Sequence, residues 1–121
     1  MKLGRTTPIL RIFDLAKAKE FYVDFLGFTV DWQHQFGENF PTYLQVSRSD
    51  CVLHLSEHHG DATPGSRVII DTTGIDELHE ELSHRGYRYL KPRLEDTEWG
   101  SRIISVTDPF GNRLTFSQSK R

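Results

Sequence analysis

Trp99-Gly-Ser-Arg-Ile-Ile-Ser-Val-Thr-Asp-Pro-Phe-Gly-Asn112 runs directly into Arg113-Leu-Thr-Phe-Ser117, and the whole reads as a strand, a tight turn and a second strand. Pro109 has its φ pre-set for the first corner of the turn, and Gly111 can take positive φ. Upstream of this hairpin lies a short apolar strand, Arg67-Val-Ile-Ile70. Thr73-x-x-Asp76 then has the form of a capping box, and Ile75, Leu78 and Leu82 make one apolar helical stripe that ends at Gly86. A further strand is expected over Tyr87–Lys91, before the strands at Arg102–Val106 and Arg113–Ser117.

The first half of the chain has the same order. Pro8–Ile12 is a strand, and Asp14 is placed to cap a helix over about 15–26 whose stripe is Ala18, Phe21, Tyr22 and Phe25. Gly27 sits at the left-handed position that ends a helix. Extended segments follow at Phe28–Gln33, Thr42–Val46 and Cys51–Ser56. Gly27 maps onto Gly86 and His54-Leu55 onto Thr115-Phe116, so the chain reads as an internal duplication. The expectation is a single domain, residues 1–121, made of two βαβββ modules at about 6–59 and 65–118. The fold class is α+β, a curved mixed sheet enclosing a cleft.

Alternation assigns the faces of the strands. Leu53 and Leu55 share one face, as do Leu114 and Phe116, and these should pack under the helices. His54 and Thr115 lie on the opposite faces, where they would line the cleft.

Composition narrows the function classes. A chain of 121 residues can bury roughly two-thirds of its unfolded surface but has no room for a separate cofactor domain. A net charge of −2 gives no support for nucleic-acid or acidic-membrane binding. No apolar run is long enough to span a bilayer or act as a signal peptide. The single cysteine, Cys51, excludes an intrachain disulfide and fits a reducing compartment, so a cytoplasmic protein is expected. Its apolar strand setting makes it an inert thiol rather than a nucleophile. No hydrolase triad and no glycine-rich phosphate loop is present.

Asp14-Leu-Ala-Lys-Ala-Lys-Glu-Phe-Tyr-Val-Asp-Phe-Leu-Gly-Phe28, together with Trp99-Gly100 and Asp108-Pro-Phe-Gly-Asn112, resembles the glyoxalase/bleomycin-resistance/dioxygenase superfamily, which has the vicinal oxygen chelate fold. Pro8-Ile-Leu10 and Gly74-Ile-Asp-Glu-Leu78 make the chain most similar to the bleomycin-resistance proteins within it. Enzymes of this superfamily hold a divalent metal with ligands from the first and last strand of each module. By resemblance those four places are Thr7, His54, one of Gly65, Ser66 or Arg67, and Thr115. Only His54 is a good donor, and one imidazole does not make a metal site, so no metal and no cofactor is expected. The cluster His54-Leu-Ser-Glu-His58-His59 diverges in an extended chain and runs into a loop-like Gly60-Asp-Ala-Thr-Pro64.

Binding is the reading the resemblance implies: sequestration of a bleomycin-type antibiotic without catalysis, in a crevice of a homodimer. Trp32, Phe36 and Trp99 would be stacking platforms, with Phe40 in the same aromatic stretch. Asp31 and Glu98 would be countercharges for a flat cationic drug, and His54 would face the cleft. The same aromatics could instead close a dimer core. Two alternatives stay open, a metal-dependent glyoxalase-like lyase or ring-cleaving dioxygenase, and a fold-only protein whose scaffold serves as an interaction module or an orphan binder.

Overall fold

A computed structural model describes residues 1–88 and 90–120. The first half holds β1 (Ile9–Arg11), α1 (Leu15–Lys19), β2 (Thr29–Gln35), β3 (Thr42–Arg48) and β4 (Cys51–Ser56). The second holds β5 (Arg67–Asp71), α2 (Ile75–Arg85), β6 (Leu94–Asp96), β7 (Ser101–Thr107) and β8 (Arg113–Ser119). Two four-stranded sheets result, ordered β1-β4-β3-β2 and β5-β8-β7-β6. In each, the first strand pairs parallel with the fourth and the remaining pairs are antiparallel. No described helix is long and apolar enough to cross a membrane.

The inner faces of the sheets match residue for residue. His54 pairs with Ile9 and Gln45, and Thr115 pairs with Ile69 and Ser105, so the two registers superimpose. On that alignment Leu44 corresponds to Ile104, Val46 to Val106, Leu53 to Leu114 and Leu55 to Phe116, and all eight are buried in one continuous core. The sequence assigned Leu53, Leu55, Leu114 and Phe116 to this side. Apolar burial at roughly 25 cal/mol per Å² is the main force holding the sheets to the helices.

The first helix differs from expectation in its second half. Asp14 caps it by accepting from the Lys17 N–H, but after Lys19 the chain widens into a π-helical turn over Glu20–Phe25. Phe21, Tyr22, Phe25 and Leu26 are all buried, and an α-helix would spread these neighbours over too wide an arc. The wider turn gathers them on one side, with the Leu26 N–H donating to the Phe21 carbonyl. Gly27 then takes φ +76°, as the sequence required.

Two expectations in the second half are corrected. The Thr73-x-x-Asp76 capping box does not form: Gly74 is the N-cap, in the left-handed region, and makes no side-chain cap. The Ile75 N–H is satisfied instead by Oε1 of Gln118 at 2.8 Å. The strand expected at Tyr87–Lys91 is replaced by a lone bridge between Tyr87 and Leu90; Tyr89, in the middle of it, lies outside the described residues. The Tyr87 ring packs on Phe21 and Phe25, with centroids 5.3 and 5.1 Å away. The fourth strand of the sheet is the acidic segment Leu94–Asp96, paired only with β7.

Two polar clasps join the halves. Asp108 lies buried in the β7–β8 turn and accepts from the Tyr22 hydroxyl at 2.6 Å, from the Phe110 and Asn112 N–H groups, and from Nδ2 of Asn112. Its charge and the surrounding burial push the Tyr22 hydroxyl well above the usual tyrosine range, burial contributing most. Elsewhere, Arg48 makes a two-pronged pair with Glu81 at 2.7 and 2.9 Å. Arg48 and Arg85 also donate to the Leu26 and Phe25 carbonyls at the end of the first helix.

Candidate functional site

The outer face of the first sheet is organised by one irregularity. Val30 pairs with Val46, yet Trp32 pairs with Gln45, leaving Asp31 as the extra residue of a β-bulge. Strict alternation would put Trp32 on the core side with Val30. The bulge reverses that phase, so Trp32 faces outward, 44% exposed, with Asp31 beside it.

Five side chains then join in one hydrogen-bonded strip. Tyr43 Oη lies 2.7 Å from His54 Nδ1, His54 Nε2 lies 2.9 Å from Gln45 Oε1, and Gln45 Nε2 lies 3.1 Å from Asp31 Oδ2. Ser47 donates to the other Asp31 oxygen at 3.0 Å. The donor sense follows from the carboxylate, which only accepts. The Gln45 amide nitrogen must therefore face Asp31, which turns its oxygen to His54. That fixes the proton on His54 Nε2, and Nδ1 accepts from the Tyr43 hydroxyl.

The charge states agree with this order. Hydrogen bonds from Gln45 and then Ser47 hold the Asp31 carboxyl below its usual range. Desolvation pushes His54 down, favouring neutral imidazole, and pushes the Tyr43 phenol up, with the Asp61 charge adding to the latter. The Trp32 ring lies nearly parallel to Tyr43 (8°, centroids 5.9 Å) and edge-on to His54 at 5.3 Å.

The other expected site residues lie outside this strip. Glu98 and Trp99 occupy the β6–β7 turn, closed by the Thr97 hydroxyl donating to the Ser101 carbonyl at 3.0 Å, so Trp99 precedes its strand rather than opening it. Trp99 is 72% exposed. Phe36 follows the end of β2 and touches His34, with centroids 4.5 Å apart. Phe40 belongs to a separate recess of about 430 Å³ with Leu15, Gln35, Asn39, Pro41 and Glu57. A larger cavity of about 940 Å³, between β4, β5 and α2, is lined by none of the seven candidates. Cys51 on its wall has its thiol pKa raised by burial, as an inert thiol should.

The donor set does not fit a metal. Both nitrogens of His54 are committed to Tyr43 and Gln45. Thr115 is buried, with its hydroxyl 3.2 Å from that of Ser105. Among the described residues no three His, Cys, Asp or Glu side chains converge to hold an ion. His58 and His59 enter a loop in which the Asp61 N–H donates to the His58 carbonyl and Asp61 itself accepts from Ser56.

Of the residues expected from the sequence, the structure brings Asp31, Trp32 and His54 together on this face, and beside them stand Tyr43, Gln45 and Ser47, which the sequence analysis did not name. A signal was available: in β3 they alternate with the buried Thr42, Leu44 and Val46, which puts them on the His54 side.

Comparison with known proteins agrees with this architecture. A bleomycin resistance protein of Geobacillus stearothermophilus is 26% identical, over 94% of this chain and 96% of its own length. Among solved structures, a bleomycin-binding protein complexed with bleomycin superimposes with a TM-score of 0.74 at 22% identity, covering 97% of this chain and 99% of that one. TnmS3, an antibiotic binding protein from Streptomyces sp. CB03234, gives a TM-score of 0.72 at 26% identity and 98% coverage of both chains. The paired βαβββ sheets are thus the vicinal oxygen chelate fold of these neighbours. A family described as glyoxalase superfamily protein matches residues 1–121, end to end, and the chain belongs to that superfamily.

Proposed function

We propose that this protein binds a flat antibiotic of bleomycin type and sequesters it without catalysis, using the outer face of the first sheet. The observation that carries the reading is the pairing of an exposed, oriented indole with a histidine whose two nitrogens are already engaged. Such a face stacks and hydrogen-bonds a ligand but offers no free imidazole base and no metal donor set. The names of the relatives, which bind or resist bleomycin or bind an antibiotic, point the same way.

In this reading Asp31, Trp32 and His54 form one wall of a crevice. Phe36, Phe40, Glu98 and Trp99 supply its rim and its opposite wall across a homodimer. Support comes from what a single copy leaves uncovered: Ile69 on the second sheet is 65% exposed and Phe36 74% exposed. An isologous pair would cover such patches twice over. The half-buried lone thiol suits the reducing cytoplasm.

Titration of the purified protein with bleomycin should quench tryptophan fluorescence and saturate at one drug per crevice. An unchanged spectrum at micromolar drug would remove bleomycin as the ligand. Sedimentation should give a dimer that Ile69→Asp converts to monomer; a monomeric wild type would remove the two-walled crevice.

A further inference from the structure

The proton order of the strip says which edge of a ligand it accepts. Tyr43 spends its only proton on His54, and His54 spends its own on Gln45. Gln45 gives one of its two amide protons to Asp31, as Ser47 gives its hydroxyl proton. What remains toward solvent is the Tyr43 oxygen, the free lone pairs of both Asp31 oxygens and a single Gln45 N–H. Acceptors outnumber donors, and one acceptor carries a full negative charge. Beside them the Trp32 ring presents a π face that favours cations.

We infer that the Asp31–Gln45–Tyr43 edge selects ligands by N–H donation: its occupant is a planar, cationic heteroaromatic or amidine-like group with amino hydrogens along one side. This rests on the reading of the outer face as a ligand site, and it assigns Tyr43 and Gln45 as specificity-determining residues of that site. The edge is pre-built, because bulge, carboxylate and amide fix one another before any ligand arrives. A ligand edge rich in acceptors would meet lone pairs opposite lone pairs and would be rejected.

The test uses two flat cationic dyes of the same ring system. Proflavine carries free amino groups, and acridine orange carries the same groups fully methylated. Dye polarisation should show wild-type protein binding proflavine about tenfold or more tightly than acridine orange, the factor expected for hydrogen bonds to a charged acceptor. Asp31→Asn and Tyr43→Phe should each cut that preference to about twofold or less; Asp31→Asn also weakens both dyes through the lost charge, so the ratio of the two affinities is the readout. Equal affinity of wild type for the two dyes, or failure to bind either, overturns the inference. So does a preference that survives in both variants. A parallel bleomycin titration separates the two readings. Drug binding that ignores both substitutions keeps the antibiotic reading and sinks this one; dye discrimination without drug binding does the reverse.

Discussion

The two sheets have equivalent registers but opposite treatment of their outer faces. On the superimposed pairing, Tyr43, Gln45 and His54 of the first sheet correspond to Ile103, Ser105 and Thr115 of the second. One face carries a directed chain of hydrogen bonds beside an indole, the other short hydroxyls beside the exposed Ile69 and the half-buried Ile103. Inside, the corresponding positions are apolar in both halves. A face that packs into a shared core is held to size and polarity by every neighbour, whereas a face outside it is free to diverge. The joining turns diverge as well. The β7–β8 turn buries Asp108 against the first helix, while the β3–β4 turn is a short exposed corner with Ser49 at φ +52°.

That asymmetry of turns gives the largest expected effect. Asp108→Ala strips acceptors from the buried Tyr22 hydroxyl and from the N–H groups of Phe110 and Asn112, and should cost about 3–5 kcal/mol in denaturant unfolding. Asp50→Ala, in the exposed turn, should change stability by less than about 0.5 kcal/mol. Similar losses at both sites would abolish the contrast. The asymmetry of faces is sharpened next: Trp32→Ala should weaken ligand binding by about 1–2 kcal/mol, read by calorimetry. Thr115→Ser, at the place corresponding to His54, should leave affinity within about twofold.

The clasp between halves predicts a pH signature. Hydrogen bonds from Arg48, helped by the charges of Arg48 and Arg85 against partial burial, hold Glu81 below the usual glutamate range. A depressed carboxylate stabilises the fold fully above its ordinary pKa and loses that contribution as pH falls through the lowered value. Wild type should therefore exceed Glu81→Gln in stability near neutrality, by no more than about 1 kcal/mol because these side chains are about one-third exposed. The gap should close in acid, and a gap that widened there would refute the clasp. Smallest of all, Ser49→Gly should raise the melting temperature slightly, by relieving about 0.5 kcal/mol of left-handed strain.

What could be read from the sequence was what repeats. Helical stripes, the turn chemistry of Asp108–Gly111 and the inner faces of β4 and β8 follow from periodicity, because one buried face forces a period on its strand or helix. What could not be read breaks a period or depends on a distant partner. The π-helical turn needs knowledge that Phe21 and Tyr22 are both buried. Tyr87–Lys91 has strand composition, but Tyr87 is taken up by Phe21 and Phe25, while acidic Leu94–Asp96 pairs on one side only, where charge blunts an exposed edge. Of the site, His54 was visible from alternation in its own strand. Its partners required the cross-strand register, and the outward turn of Trp32 required a bulge that no local pattern announces.

That bulge gives the chain a lever of unusual gain. Because Asp31 is the supernumerary residue, removing it would leave Val30 opposite Val46 and the indole opposite Gln45, so the ladder becomes regular with the indole still outward and only the carboxylate is erased. Loss of one codon at this point would therefore strip the recognition surface of its charge and spare its aromatic platform in a single event, with the rest of the scaffold untouched.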